Sequence, residues 1–525
     1  MTTVEPSSLA RLIEVAAQRH GERPALIDGE RRLTFADLAD QARQFGAALV
    51  ESGLKKGDRV AIWAPNSAEW VIAALGLFTS GATLVPVNTR YKGAEAADML
   101  ARAKVKVLIT TTDFLGVDYV AMLREAGRTL PDLATVVVVR GPVAEGAVGW
   151  LDFVGRATDD ARMEVVARSK ALGPEDASDI LFTSGTTGVP KGVVMTHGRT
   201  VQVATDWVRM SGMQPGDVYL MVNPYFHMFG LKAGILAAVA GGATMLPEPV
   251  FDVDRALQRV QDEGVTVFPG APTIYQAVLE HPRRGDYNLS TLRIAVTGAA
   301  DIPVELIRRI DAELPFERII SGYGLSEAGT ASSTGPEDDV AAIATTVGRP
   351  RPGFELRVVD QDDNEVRDGQ PGEVLLRGSS VMSHYLDDQE ATTAVFTADG
   401  FLRTGDLGSL DDEGRLRIVG RLKDMFIVGG FNAYPAEIEN ALRRHEAVKD
   451  VAVIGIPDDR LGEVGMAYVV PQPSSSVTAE EIIAWSREQM ANFKVPRRIE
   501  FLEALPLNAT GKVEKTMLRE LAVGT

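Results

Sequence analysis

The sequence predicts an α/β fold with largely parallel sheets, divided into more than one domain. Over the first 330 residues, short apolar runs alternate with longer amphipathic segments, as strands and their crossover helices do. Runs such as Thr135–Val139 are apolar throughout, as strands covered on both faces are. The length, 525 residues, exceeds the roughly 250–300 residues at which single cores stop growing.

In chain order, the N-terminus from Met1 to His20 carries Glu5, Arg11 and Glu14 and lacks the apolar core of a signal peptide. A helix is expected over Phe35–Ser52 and a strand over Val60–Trp63. The uncharged stretch Trp70–Asn88 is interrupted by Gly76, Gly81 and Pro86, so it reads as helix, turn and strand inside a core, not as a membrane span. Strands at Val105–Thr110 and Thr135–Val139 follow, then a helix at Asp252–Glu263 and strands at Val265–Phe268 and Leu292–Thr297. Ala73-Ala74-Leu75 leads to Gly81-Ala82-Thr83-Leu84-Val85-Pro86, and Ala237-Ala238-Val239 leads to Gly242-Ala243-Thr244-Met245-Leu246-Pro247. In each, an alanine-rich helix meets glycine and passes quickly into a strand. Two similar layered α/β subdomains explain the pair; chance is the alternative. After Thr330, turn signals such as Asp411-Asp412-Glu413-Gly414 separate short strands, Glu373–Arg377 and Leu416–Val419, which reads as a β-rich subdomain. From about Asp424, helices Pro435–His445 and Ala479–Asn492 and strands Val451–Ile454 and Ala467–Val470 form a further small unit of mixed helix and strand. The charged stretch Arg421-Leu422-Lys423-Asp424 is the natural boundary, dividing residues 1–422 from 423–525.

Composition excludes several functions. The net charge is −18, unlike the basic face of a nucleic-acid binder. There is no cysteine, hence no disulfide, thiolate metal site or cysteine nucleophile. Six histidines lie scattered without ligand spacing. The chain ends Ala522-Val523-Gly524-Thr525, without a peroxisomal tripeptide, and cytoplasm is the expected compartment.

The strongest chemical signal is Thr183-Ser184-Gly185-Thr186-Thr187-Gly188-Val189-Pro190-Lys191-Gly192, following an expected strand at Asp179–Phe182. Its glycines allow close backbone approach, its hydroxyls and N–H groups form an anion cradle, and Lys191 adds charge. It is not a Walker loop, because no glycine precedes Lys191 and no Ser or Thr follows it.

This string resembles the phosphate loop of the adenylate-forming superfamily, which includes acyl-CoA synthetases, peptide-synthetase adenylation domains and luciferases. Further motifs follow in that superfamily's order, so the resemblance covers essentially the whole chain. In Ser321-Gly322-Tyr323-Gly324-Leu325-Ser326-Glu327, an aromatic between glycines suits a purine face and Glu327 suits Mg²⁺; the resemblance implies both roles. Ser326 stands where the family usually has threonine, keeping the hydroxyl for the α-phosphate. In Arg403-Thr404-Gly405-Asp406, Asp406 alone would be a turn residue, but it matches the family's ribose ligand. Arg421 resembles a second ribose or phosphate contact. Lys423 is by itself only a linker residue; it occupies the family's hinge, about which the C-terminal domain moves as a lid. Lys512, in Pro506-Leu507-Asn508-Ala509-Thr510-Gly511-Lys512, resembles the adenylation lysine that bridges carboxylate and ATP. Gly429 and Gly430 make a tight turn before a helix and, by resemblance, let the CoA pantetheine arm pass; the two readings can both hold.

Asn223-Pro224-Tyr225-Phe226-His227-Met228-Phe229-Gly230-Leu231-Lys232 resembles the segment at the acyl-pocket mouth, with His227 as the gate beside the carboxylate. Phe229, Val296, Thr297, Gly298 and Ala299 are expected in the pocket walls. Phe226-His227-Met228 offers no aspartate for a substrate ammonium, and 13 residues follow Lys512, leaving no carrier domain; an amino-acid substrate is disfavoured. Two segments, Pro86-Val87-Asn88-Thr89-Arg90-Tyr91-Lys92-Gly93-Ala94-Glu95-Ala96 and Asp113-Phe114-Leu115-Gly116-Val117-Asp118-Tyr119, are similar to an actinobacterial subgroup. That subgroup activates a propanoate side chain on the fused two-ring remnant of steroid degradation. Lys232 would then meet a ring ketone, or else emerge on a helix surface.

The sequence is therefore identified as a member of the adenylate-forming superfamily. The resemblance implies an ATP-dependent acid:CoA ligase with Mg²⁺, releasing AMP and pyrophosphate, with Lys512, Glu327 and His227 catalytic. A steroid-derived bicyclic propanoate is the expected acid, with a medium- or long-chain fatty acid next, and an aryl acid or an ATPase without CoA behind. Homodimers are common in that superfamily.

Overall fold

A computed structural model describes residues 6–183, 190–298, 304–366, 369–429, 431–473, 475–508 and 512–523. Ser184, Gly185, Thr186, Thr187, Gly188, Ala299 and Gly430 lie outside the described residues. Among those described, the strands form four sheets.

Two large sheets carry the N-terminal body. The first runs, edge to edge, through His384–Tyr385, Lys191–Thr196, Ala177–Thr183, Thr83–Pro86, Arg59–Trp63, Val107–Thr111, Thr135–Arg140 and Val148–Gly149. From Ala177–Thr183 onward its pairings are parallel. The second runs through Arg349–Pro350, Gly329–Ser333, Arg318–Leu325, Ile294–Gly298, Val267–Gly270, Val218–Met221, Thr244–Pro247, Pro24–Asp28 and Arg31–Thr34. Its interior pairings are parallel and its outer ones antiparallel. One large core joins them, drawing Phe45, Trp70 and Phe78 from beside the first sheet and Met245, Val267 and Val296 from the second.

The internal repeat has a structural counterpart. The helix Ala68–Ser80 ends at Gly81 and enters Thr83–Pro86 of the first sheet; the helix Ala237–Gly241 ends at Gly242 and enters Thr244–Pro247 of the second. Gly81 and Gly242 have φ of 77° and 72°, left-handed backbone that only glycine adopts without cost. The uncharged stretch is thus helix, turn and strand, and no described helix is long and apolar enough to cross a membrane.

Three strands begin two residues later than expected, Ile294–Gly298 among them, and the other two do so for one reason. Val105 and Val265 donate back to Leu100 O and Val260 O, five residues earlier, after Lys104 and Gly264 at φ of 49° and 65°. This is the capping geometry in which the apolar residue past a helix end packs on the helix. The strands start instead at Val107 and Val267.

The third sheet, Phe354–Val359, Gly372–Gly378, Leu402–Leu410 and Leu416–Arg421, is antiparallel. The fourth follows Leu422–Asp424 and is built on the long hairpin Val448–Asp458 and Gly462–Pro471. It has its own apolar core, including Phe426, Ile438, Val451 and Ile482.

Candidate active site

The glycine- and threonine-rich loop joins two antiparallel strands, with Thr183 registered against Lys191. The strands on either side of it thus pair as neighbours in one sheet. Lys191 Nζ sits 5.0 Å from the centroid of the Tyr385 ring, within cation–π range. Tyr385 reaches this place because His384–Tyr385 adds to the edge of the same sheet, pairing with Val194 and Val193. Its hydroxyl donates to Glu327 Oε1 at 3.1 Å. Burial pushes the Glu327 carboxyl above its ordinary pKa, while the Tyr385 hydrogen bond opposes the shift. Tyr385 was not singled out in the sequence. It lies 58 positions from Glu327, in a two-residue strand with no periodic signature.

Tyr323, Asp406 and Arg421 converge from two sheets. The Tyr323 hydroxyl donates to Asp406 Oδ2 at 2.6 Å, and Arg421 Nε lies 3.1 Å from Asp406 Oδ1. Asp406 and Arg421 face each other across one hairpin. Gly322 and Gly324 flank Tyr323 in the strand Arg318–Leu325, and Ser326 follows it half-buried. Lys423 is exposed in the short turn after Arg421. Gly429 is exposed at φ 56° and donates to Leu461 O.

His227 caps the turn Met228–Gly230, its Nδ1 accepting from the Phe229 N–H at 3.2 Å. The segment before it is clamped by Asn66 of the first subdomain, which donates to Met221 O and Asn223 O and accepts from the Tyr225 N–H. Gly230 has no substitute here, since a Cβ would lie 2.1 Å from Pro224 O. The pKa of His227 is lowered to about 4, first by burial and then by the charge of Lys512. The imidazole is therefore neutral, and the C-terminal lysine stands close enough to the mouth segment to act on it. The Lys512 N–H donates to Asn508 Oδ1 at 3.0 Å and its carbonyl accepts from the Asn508 N–H at 2.8 Å, so the ends of the lysine loop are tied together.

Two acyl-pocket expectations change. Lys232 neither emerges on a helix surface nor lines an open wall. It lies in a π-helical turn, Leu231–Leu236, with its side chain 0% exposed and Nζ 2.8 Å from Asp179 Oδ1. Burial pulls the ammonium pKa down and Asp179 pulls it back up. Asp179 also accepts from Ser178 and Thr200, so the pair ties the turn Leu231–Leu236 to the strand Ala177–Thr183 that precedes the glycine- and threonine-rich loop. Val296 and Thr297 are consecutive in the strand Ile294–Gly298 and face opposite ways. Val296 joins the large core beside Phe45 and Trp70, while its neighbour Ala295 joins the other face. Both Val296 and Thr297 therefore cannot line one pocket. Phe229 packs edge-on against Trp207, with centroids 5.4 Å apart.

Lys191, Tyr385 and the half-buried Glu327 thus lie together, Tyr323, Asp406 and Arg421 form a second cluster, and the charge of Lys512 reaches His227. Residues 13–386 match the family of AMP-binding enzymes, and residues 437–512 match the AMP-binding enzyme C-terminal domain. The chain belongs to this family. Two relatives place it among the family's acyl-CoA ligases. It is 47% identical over 99% of both chains to the 3-[(3aS,4S,7aS)-7a-methyl-1,5-dioxo-octahydro-1H-inden-4-yl]propanoyl:CoA ligase of Rhodococcus jostii. It is 48% identical over 98% of both chains to the Mycobacterium tuberculosis protein of the same name. Among solved structures it resembles the anthranilate CoA ligase AuaEII, crystallised with anthranoyl-AMP, at a TM-score of 0.88 and 28% identity over 99% of both chains.

Proposed function

We propose that this acyl-CoA ligase activates a bicyclic propanoate bearing two ring ketones, as the names of its relatives describe for those proteins, and thereby serves steroid-ring catabolism. The single observation that carries the reading is near-half identity to both relatives over essentially the full chain. The substrate carboxylate attacks the α-phosphorus of ATP, pyrophosphate leaves, and an acyl-adenylate forms. CoA thiolate then attacks the acyl carbon and AMP leaves. CoA brings the sulfur, which suits a chain without cysteine.

The residues divide the work by charge and position. The loop from Thr183 to Lys191 receives the phosphates, with Tyr385 steadying the Lys191 ammonium. Asp406, already an acceptor for Tyr323 and Arg421, accepts the ribose hydroxyls, and Tyr323 backs the base. Lys512 stabilises charge building on the reacting phosphorus. Neutral His227 beside it closes the mouth without adding a competing charge. Mg²⁺ fits Glu327, a half-buried carboxylate whose raised pKa a cation would relieve. No described cluster of three acidic or histidine ligands exists, which suits an ion that keeps waters and phosphate oxygens as its other ligands. Bound there, Mg²⁺ would neutralise phosphate charge. The small domain after residue 422 acts as a lid that turns about Lys423 between the two half-reactions, exchanging Lys512 for the Gly429–Gly430 passage. The test is incubation with ATP, CoA and an acid panel. Acid-dependent AMP and a thioester of the bicyclic propanoate support the reading; ADP, or no product with any acid, removes it.

A further inference from the structure

Arg351 has a place in the fold that the reaction described so far does not use. It follows the edge strand Arg349–Pro350, and its backbone N–H pairs with Ala331 O of the neighbouring strand. Its side chain is 5% exposed. Nη2 donates to the backbone carbonyl of Asp206 at 2.5 Å, in the helix His197–Ser211. The Asp206 carboxylate is 4.0 Å away and is already shared with Gln202 and Arg209. Nε and Nη1 are buried with no acceptor among the described residues. Enclosed polar N–H groups without partners are costly and rare. A guanidinium only donates, so what is missing is an acceptor.

Its location says which acceptor. Asp206 precedes Trp207, whose ring meets Phe229, two residues beyond His227, where the Lys512 charge is felt. Arg351 is thus joined through one helix to the segment that carries Phe229 and His227. Lys232, also fully buried, is by contrast matched by Asp179.

We propose that Arg351 is a specificity-determining residue that donates hydrogen bonds from Nε and Nη1 to a ketone oxygen at the distal end of the acyl substrate. A hydrocarbon tail would leave both N–H groups unpaired, so the same residue selects against plain fatty acids. This inference rests on the bicyclic-propanoate reading above.

The test uses the full-length enzyme with three acids: the diketone bicyclic propanoate, its counterpart lacking both ring oxygens, and octanoate. The wild-type enzyme is expected to favour the diketone over its deoxygenated counterpart by tenfold or more in kcat/KM. Arg351→Met is expected to erase most of that preference, chiefly through KM for the acid and not KM for ATP, and Arg351→Lys to retain part of it. Equal losses on all three acids would mark a merely structural role and overturn the proposal. Poor folding of the variants does not shield it, because a wild-type enzyme indifferent to the ring oxygens overturns it without any variant. Equal preference for both bicyclic acids over octanoate removes the Arg351 assignment alone. A preference for octanoate over both removes the substrate reading and this proposal with it.

Discussion

Lys512 and His227 arrive from distant parts of the chain, yet the charge of one lowers the pKa of the other. In the proposed reaction Lys512 serves adenylation, which gives it a role confined to one half-reaction. Lys512→Ala is expected to slow acyl-adenylate formation by a hundredfold or more, yet leave thioester formation from supplied acyl-adenylate within a few-fold. Equal loss of both half-reactions, measured separately, would contradict it. Glu327 carries a pH prediction. Its pKa is raised, and the proposed Mg²⁺ binding needs the carboxylate, so the Mg²⁺ concentration for half-maximal rate is expected to rise as pH falls through that raised value. Tyr385→Phe removes the hydrogen bond that favours the carboxylate, pushing the pKa up further. Half-saturating Mg²⁺ should rise several-fold, with the pH dependence displaced upward; an unchanged Mg²⁺ requirement would show that Tyr385 does not position Glu327. The motif residues were legible because each lies in a short string with its own chemistry. Tyr385, Arg351 and the Asp179 partner of Lys232 were not, because their meaning comes from contacts made 58, 145 and 53 positions away, which no local pattern records.

At the scale of elements, the alternation of apolar runs and amphipathic segments located the strands, and the paired helix–glycine–strand segments marked corresponding places in the two large sheets. What it misplaced were starts: Val105 and Val265 look like strand residues, but each closes a helix cap. The π-helical turn at Leu231–Leu236 was equally hidden, since its sequence reads as ordinary helix. That turn is fastened to the strand Ala177–Thr183 by a fully buried ion pair. Breaking such a pair strands a charge, whereas removing both partners need not. Lys232→Met is expected to destabilise the protein by about 3–5 kcal/mol, and the double variant Lys232→Met, Asp179→Leu by much less. Chemical denaturation measures both. A single variant as stable as the wild type would show that the pair does not fasten the turn.

For the whole molecule, acid should loosen the fold before it exposes much else. His197 joins the first helix to the helix His197–Ser211, its Nδ1 accepting from the Leu9 N–H. Burial lowers its pKa from 6.5 to about 4. The unfolded chain takes up a proton below pH 6.5 and the folded chain does not, so stability is lost as pH falls from about 6.5 to about 4. His227 acts in the same sense. His197→Asn keeps an acceptor and removes the titration; it should lower thermal stability at pH 7 but flatten the decline between pH 6.5 and 4. A decline as steep as the wild type's would place the acid sensitivity elsewhere. The −18 charge does not exclude polyanionic substrates, because attraction can be local, in the proposed site at Lys191, Arg421 and Lys512. What the chain activates is tested most directly by kcat/KM for AMP and thioester formation across fatty acids and the diketone bicyclic propanoate. The expected result is a preference of at least tenfold for the bicyclic acid, with AMP as the nucleotide product. A preference for octanoate or longer chains, or acid-independent release of ADP, would contradict it.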